Sequence, residues 1–110
     1  MSYVEHMAET MRADLGVEPG LSEKKMFGGL CFLLHGNMIA GLGKDGAFYR
    51  AGKPNEAEAM ALPGTGPMVM GARRMGGFVR LDEGGFDEAT TRRKLTDIAL
   101  AFTASLPPKG

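Results

Sequence analysis

Gly41, Gly43 and Gly46 spell G-x-G-x-x-G, the spacing that can cradle a pyrophosphate after a strand. Such a cradle works when its last glycine opens a helix whose N-terminal amides meet the phosphate. Here Gly46 is followed by Ala47-Phe48-Tyr49-Arg50-Ala51-Gly52, which reads as a strand. The acidic residue expected some 20 positions on to hold a ribose is replaced by the Gly64 to Pro67 loop. The glycines are therefore read as turn chemistry, and no nucleotide cofactor is expected.

Other chemistry is no better supplied. One cysteine, Cys31, and two distant histidines, His6 and His35, make no zinc pattern. Ser2, Ser22 and Ser105 fall at presumed element ends, without a histidine and carboxylate at a useful offset. The carboxylate pairs Asp82/Glu83 and Asp87/Glu88 stand where turns and helix starts already call for them. Cys31 lies in an apolar run with no base or cation nearby to make a thiolate, so it reads as a small buried residue. The expectation is a chain that is not an enzyme and carries no cofactor and no metal.

What the chain does offer is soft apolar surface beside positive charge. It has nine methionines, several of them near the presumed sheet, and flexible thioethers suit a surface that must adapt to a partner. Met68, Met70 and Met75 with Arg73, Arg74 and Arg80 form the candidate partner-binding set, the arginines being its rim.

These residues need a scaffold. A chain of 110 residues suits one domain over residues 1–110, with 44% hydrophobic and 24% charged residues, ordinary for a folded protein. Thirteen basic residues balance thirteen acidic ones, so no net field draws the chain to nucleic acid or an anionic membrane. No apolar run approaches a membrane span, no signal pattern opens the chain, and a single cysteine cannot form an internal disulfide. A cytoplasmic location is expected.

Ser2 and Glu5 pattern a capping box before Val4, Met7, Ala8, Met11 and Leu15, which predicts a helix over about 3–15. Residues 17–23 read as a linker, and from Lys24 the period becomes strand-like, interrupted at Gly28 and Gly29. Leu30–His35 and Met38–Leu42 read as strands joined by a turn at Gly36 and Asn37. Ala47–Ala51 is a further strand, Glu56–Leu62 a short helix, and Met68–Met70 and Gly77–Leu81 two more strands, with Phe78 and Arg80 on one face. A last helix, capped by Asp87, carries the stripe Thr91, Leu95, Ile98, Ala99, Phe102 and Leu106 before Pro107 and Pro108. The order α-β-β-β-α-β-β-α with tight turns predicts an α+β two-layer sandwich with an antiparallel five-stranded sheet. Leu30–Leu34 is apolar at every position, so both faces of that strand need cover: helices on one, and a partner, a ligand or another segment of the chain on the other.

Met26-Phe27-Gly28-Gly29, then Phe32, Gly36, Met38 and Gly41, then Pro67-Met68, Arg73, Met75 and Gly77-Phe78-Val79, and finally Leu106-Pro107-Pro108-Lys109 resemble the N-terminal domain of the TfoX (Sxy) competence regulators. The family motif residues are taken as Met26, Phe27, Gly28, Gly29, Gly36, Pro67, Gly77 and Phe78. The resemblance implies a secretion-chaperone-like α+β architecture and a non-catalytic role in competence or transcription, exercised through a protein partner as a coactivator with the cyclic-AMP receptor protein. It also implies a stand-alone version of a domain that the full regulators follow with a second one. Ala72-Arg73-Arg74-Met75 departs from the Gly-Arg-Pro-Met element of single-domain relatives. The expected partner is another protein or a second copy of the chain. Direct nucleic-acid binding through the interior basic segments, and a small-ligand pocket between sheet and helices, are the alternative readings.

Overall fold

The computed structural model describes residues 5–26, 28–43, 46–70 and 72–108. Helix α1 (Glu5–Leu15) is followed by strands β1 (Leu21–Met26), β2 (Gly29–Leu34), β3 (Asn37–Gly43) and β4 (Gly46–Arg50). A 3-10 turn (Lys53–Asn55) leads into α2 (Glu56–Met60). Strands β5 (Thr65–Met70) and β6 (Arg73–Leu81) and helices α3 (Glu83–Phe86) and α4 (Ala89–Ala104) complete the chain. The class is α+β, with one antiparallel sheet in the order β1-β2-β3-β4-β6-β5.

The sheet has six strands rather than the expected five. Met26 pairs with Gly29, so Gly28, at φ 74°, belongs to a hairpin turn and not to an interruption within one strand. Leu21–Met26 escapes a periodicity search because an edge strand exposed on both faces has no apolar alternation to show. The next turn is displaced by one residue from its expected place. Leu34 pairs with Asn37, and the positive φ values fall at His35 (52°) and Gly36 (84°). Asn37 is instead a buried strand residue whose Nδ2 donates to the Pro107 carbonyl at 2.9 Å, tying the end of the chain to β3.

All the helices lie against one sheet face. Met7, Ala8, Met11 and Leu15 of α1 are buried as their spacing predicts, and they meet Leu30, Phe32, Tyr49 and Val79 from the sheet. Helix α4 is rotated slightly from its expected stripe. Thr91, Leu95, Thr96, Ala99 and Thr103 are buried, while Ile98, Phe102 and Leu106 flank them half-buried. Its start also differs: Asp82, not Asp87, is the capping carboxylate, and it caps α3 by accepting from Gly85 N at 2.7 Å. Glu88 stands at the α4 N-cap without a side-chain bond. Arg92 fastens three helices, donating to Asp14 at 2.6 Å and to the Phe86 carbonyl at 2.9 Å while stacking on the Phe86 ring.

Candidate functional site

The register decides which side chains share the helix-free face. Cys31 pairs with Lys24 and Gly41, Gly41 with Phe48, Phe48 with Arg80, and Arg80 with Gly66, so one row crosses all six strands. The row below it holds Leu33, Met38, Arg50 and Phe78, with Leu33 opposite Met38 and Arg50 opposite Phe78. Of the helices, α4 reaches these rows at Arg50 through Phe102, and the second face of the apolar strand Leu30–Leu34 is covered largely by other side chains of the same chain, with Cys31 buried and Leu33 half-buried. Leu30, Phe32 and Leu34 enter the helix-side core, whereas Cys31 and Leu33 do not.

Local packing makes this face a shaped surface. The Phe48 ring lies across Gly41, where an added Cβ would come within 2.3 Å of it. Phe48 and Phe78 approach diagonally with centroids 6.2 Å apart. The Arg50 guanidinium sits over Phe78 at 5.4 Å and Phe102 at 5.9 Å, and its Nη1 donates to the Met38 carbonyl at 3.3 Å. Beneath these neighbours Cys31 is only 2% exposed, and burial pushes its thiol pKa up, away from the reactive thiolate. At the β3–β4 end of the face, a cavity of about 100 Å³ opens beside Cys31, Phe48, Met68 and Arg80.

The expected contact residues divide between two places. Met68 and Arg80 line the cavity. Arg73, Arg74 and Met75 lie at the far end of the β5–β6 hairpin, in a basin shared with Lys53 and Gly76. Arg74 is drawn toward α2, its Nη2 3.2 Å from Glu56 Oε1, while Glu56 Oε2 accepts from Gly77 N at 2.5 Å. Between Pro67↔Val79 and Val69↔Arg74 the register shifts, and Gly77 at φ 85° carries the bulge that takes the hairpin tip out of the Arg80 row. The side chain of Met70 and the whole of Phe27 lie outside the described residues. Among the other motif residues, Met26 and Gly29 line the cavity, Gly36 makes the β2–β3 turn and Pro67 sits in edge strand β5.

Sequence reasoning missed Leu33, Phe48 and Arg50 as components of this face and Cys31 as the buried residue beneath them. The sequence carried only the two-residue spacing of Phe48 and Arg50 and of Phe78 and Arg80, and their crosswise pairing across β4 and β6 comes from the register. The small-ligand expectation placed a pocket between sheet and helices, but core side chains such as Tyr49, Leu42 and Leu95 occupy that layer. The G-x-G-x-x-G glycines lie in β3 and β4 with Gly43 opposite Gly46, so a strand follows where a phosphate cradle needs a helix. Among the described residues no group of three metal-ligating side chains converges, and no helix is long and apolar enough to cross a membrane.

The family model for the TfoX N-terminal domain matches residues 15–103, from the end of α1 almost to the end of α4. The chain belongs to the TfoX N-terminal domain family. The matched span of this TfoX domain contains the entire sheet and both rows of the helix-free face, and the Leu106–Lys109 element lies beyond it. The family is consistent with a competence-related regulatory role and is not a known enzyme family. No curated protein and no solved structure matched the chain.

Proposed function

We propose that this TfoX domain is a non-enzymatic, cytoplasmic protein-interaction domain that regulates competence or transcription through a protein partner held on the helix-free sheet face. The observation that carries the reading is the composition of that face. Leu33, Met38, Phe48 and Phe78 supply apolar area, Lys24, Arg50 and Arg80 supply charge, and no acidic side chain stands in these rows among the described residues. These apolar side chains are half-buried and contiguous, and a contiguous apolar patch of this kind supports a contact site. Its charge selects the occupant: a partner presenting apolar side chains ringed by carboxylates. A dimer made face to face would set this basic face against a second basic face, and such like-charge contact is unfavourable.

Affinity capture from the native cell with wild-type and Phe78→Glu chains tests the assignment, with Lys94→Glu on exposed α4 surface as a control. A captured partner is then titrated in purified form. Phe78→Glu is expected to weaken it by roughly 30-fold, the size of a 2 kcal/mol hot spot, and Lys94→Glu to change little. Equal affinity for the Phe78→Glu chain, or light scattering showing a dimer that Phe78→Glu dissolves, refutes the acidic-partner surface. Transformation frequency reads the regulatory part: a Phe78→Glu strain that takes up DNA normally removes the competence assignment.

A further inference from the structure

We infer that the cavity at the β3–β4 end of the helix-free face is a binding site for a small amphipathic carboxylate, an aromatic or short aliphatic acid, with Arg80 as its counter-ion. Residues from all six strands line it. At about 4.8 Å between strands a flat sheet of this size would spread over roughly 24 Å. Met26 from edge strand β1 and Met68 from edge strand β5 nevertheless reach the same cavity of about 100 Å³, so the sheet curls around it. The floor is bare of side chains where Gly29, Gly43 and Gly46 come together from β2, β3 and β4. Glycine within strands weakens a sheet and is used where another group must approach the backbone closely.

Charge fixes the ligand class. Arg80 is the only charged residue among those described that line the cavity, and it makes no ion pair among the described residues. Its guanidinium extends over Gly66, where an added Cβ would stand 3.5 Å from Nη2. A planar guanidinium, always charged, matches a carboxylate with two parallel hydrogen bonds. The remaining wall of methionine, phenylalanine, valine and cysteine accepts an apolar body. Engineered apolar cavities of about 150 Å³ take up benzene, so about 100 Å³ holds roughly four carbons, with the rest of the ligand at the open mouth beside Arg80. This inference shares Phe48 and Arg80 with the proposed contact surface but does not rest on the protein-contact reading, because the assay needs only the purified chain and small molecules.

Thermal unfolding and calorimetric titration with benzoate, hexanoate, benzyl alcohol and benzylamine provide the test. The carboxylates are expected to raise Tm by about 5 °C at ten times Kd, the alcohol to bind more weakly and the amine not at all. Arg80→Gln should weaken benzoate about tenfold or more and leave benzyl alcohol within about twofold. Gly43→Leu should abolish binding with little change in the free chain's Tm, since a Cβ there meets no atom within 4 Å and its φ is outside the left-handed region. The inference is overturned if neither carboxylate binds, if benzylamine binds as well as benzoate, or if Gly43→Leu binds benzoate like the wild type. Should Gly43→Leu fail to fold, the Arg80→Gln comparison decides alone.

Discussion

Replacing Tyr49 by phenylalanine removes a hydroxyl that the core does not use. Tyr49 is 1% exposed, packed between the sheet and the helices, and its hydroxyl makes no well-formed hydrogen bond among the described residues, the nearby Thr96 hydroxyl offering only a weak one. The neighbouring Thr96 hydroxyl donates instead to the Arg92 carbonyl at 2.8 Å. A buried hydroxyl left unpaired costs about 1–3 kcal/mol, and the phenylalanine ring keeps the rest of the packing. Tyr49→Phe should therefore stabilise the chain by about 1–2 kcal/mol at pH 7, visible as a rise in Tm of about 4 °C per kcal/mol. The gap should widen in alkali. Burial first, and the charge of Asp14 second, push the Tyr49 phenol well above its ordinary value of 10.0, against smaller opposing effects of Arg92 and Thr96. Above pH 10 the unfolded chain releases this proton while the folded chain holds it, so the unfolded state binds fewer protons and stability falls as pH rises. By pH 11 the wild type should lose about 1.4 kcal/mol relative to Tyr49→Phe, and the two chains share every other titrating group. Urea unfolding of both proteins at pH 7, 10 and 11 measures this. A Tyr49→Phe chain less stable than wild type at pH 7, or a pH-independent difference, would show that the hydroxyl is paired and the reasoning wrong.

Glu56 should matter more than the arginine it meets. Its carboxylate holds Gly77 N, and Glu56→Ala is expected to cost about 2 kcal/mol in urea unfolding. Arg74→Ala should cost less than about 1 kcal/mol because the Arg74 side chain is 52% exposed; equal losses would refute this division. Cys31 should react with a thiol reagent at pH 8 at least about tenfold faster in urea than in the folded chain, since burial both shields it and suppresses its thiolate. Fast native labelling would mean that β2 is open on this face.

Elements whose residues take sides against one core could be read directly. Met7, Ala8, Met11 and Leu15 repeat with the helical period because α1 has one buried face, and β2 reads as apolar because both of its faces are shielded. Strand β1 offered no such contrast. Its Ser22-Glu23-Lys24-Lys25 run is exposed throughout, and its place in the sheet follows from pairing with β2. The β2–β3 turn was misplaced by one residue because Asn37 has the chemistry of a turn residue, while His35, at φ 52°, does not. The proposed contact surface is half visible in the sequence. Phe78 and Arg80 were correctly put on one face of β6, but nothing local says that β4 lies beside them, or that the bulge at Gly77 sends Arg73 and Arg74 elsewhere. Long-range register is a property of the assembled sheet, and it was this that joined Cys31, Phe48 and Arg80.

The Met26-Phe27-Gly28-Gly29 element gains a physical meaning from that register. Gly28 turns the chain at φ 74°, and Gly29 starts β2 so close to β3 that a Cβ would fall 2.0 Å from the Leu42 carbonyl oxygen. A side chain at Gly29 would push β2 from β3 and close the cavity floor, while Met26, opposite Gly29 across the hairpin, forms a wall of the same cavity. This element thus supplies backbone geometry at the open end of the sheet. Ordinary β-hairpins do not require a glycine at the first position of the second strand, so its presence here answers to the close approach of β3. Gly41 repeats the pattern one row away, where the space a side chain would take is filled by the Phe48 ring. Both glycines shape the helix-free face, and the proposed partner contact depends on that shape.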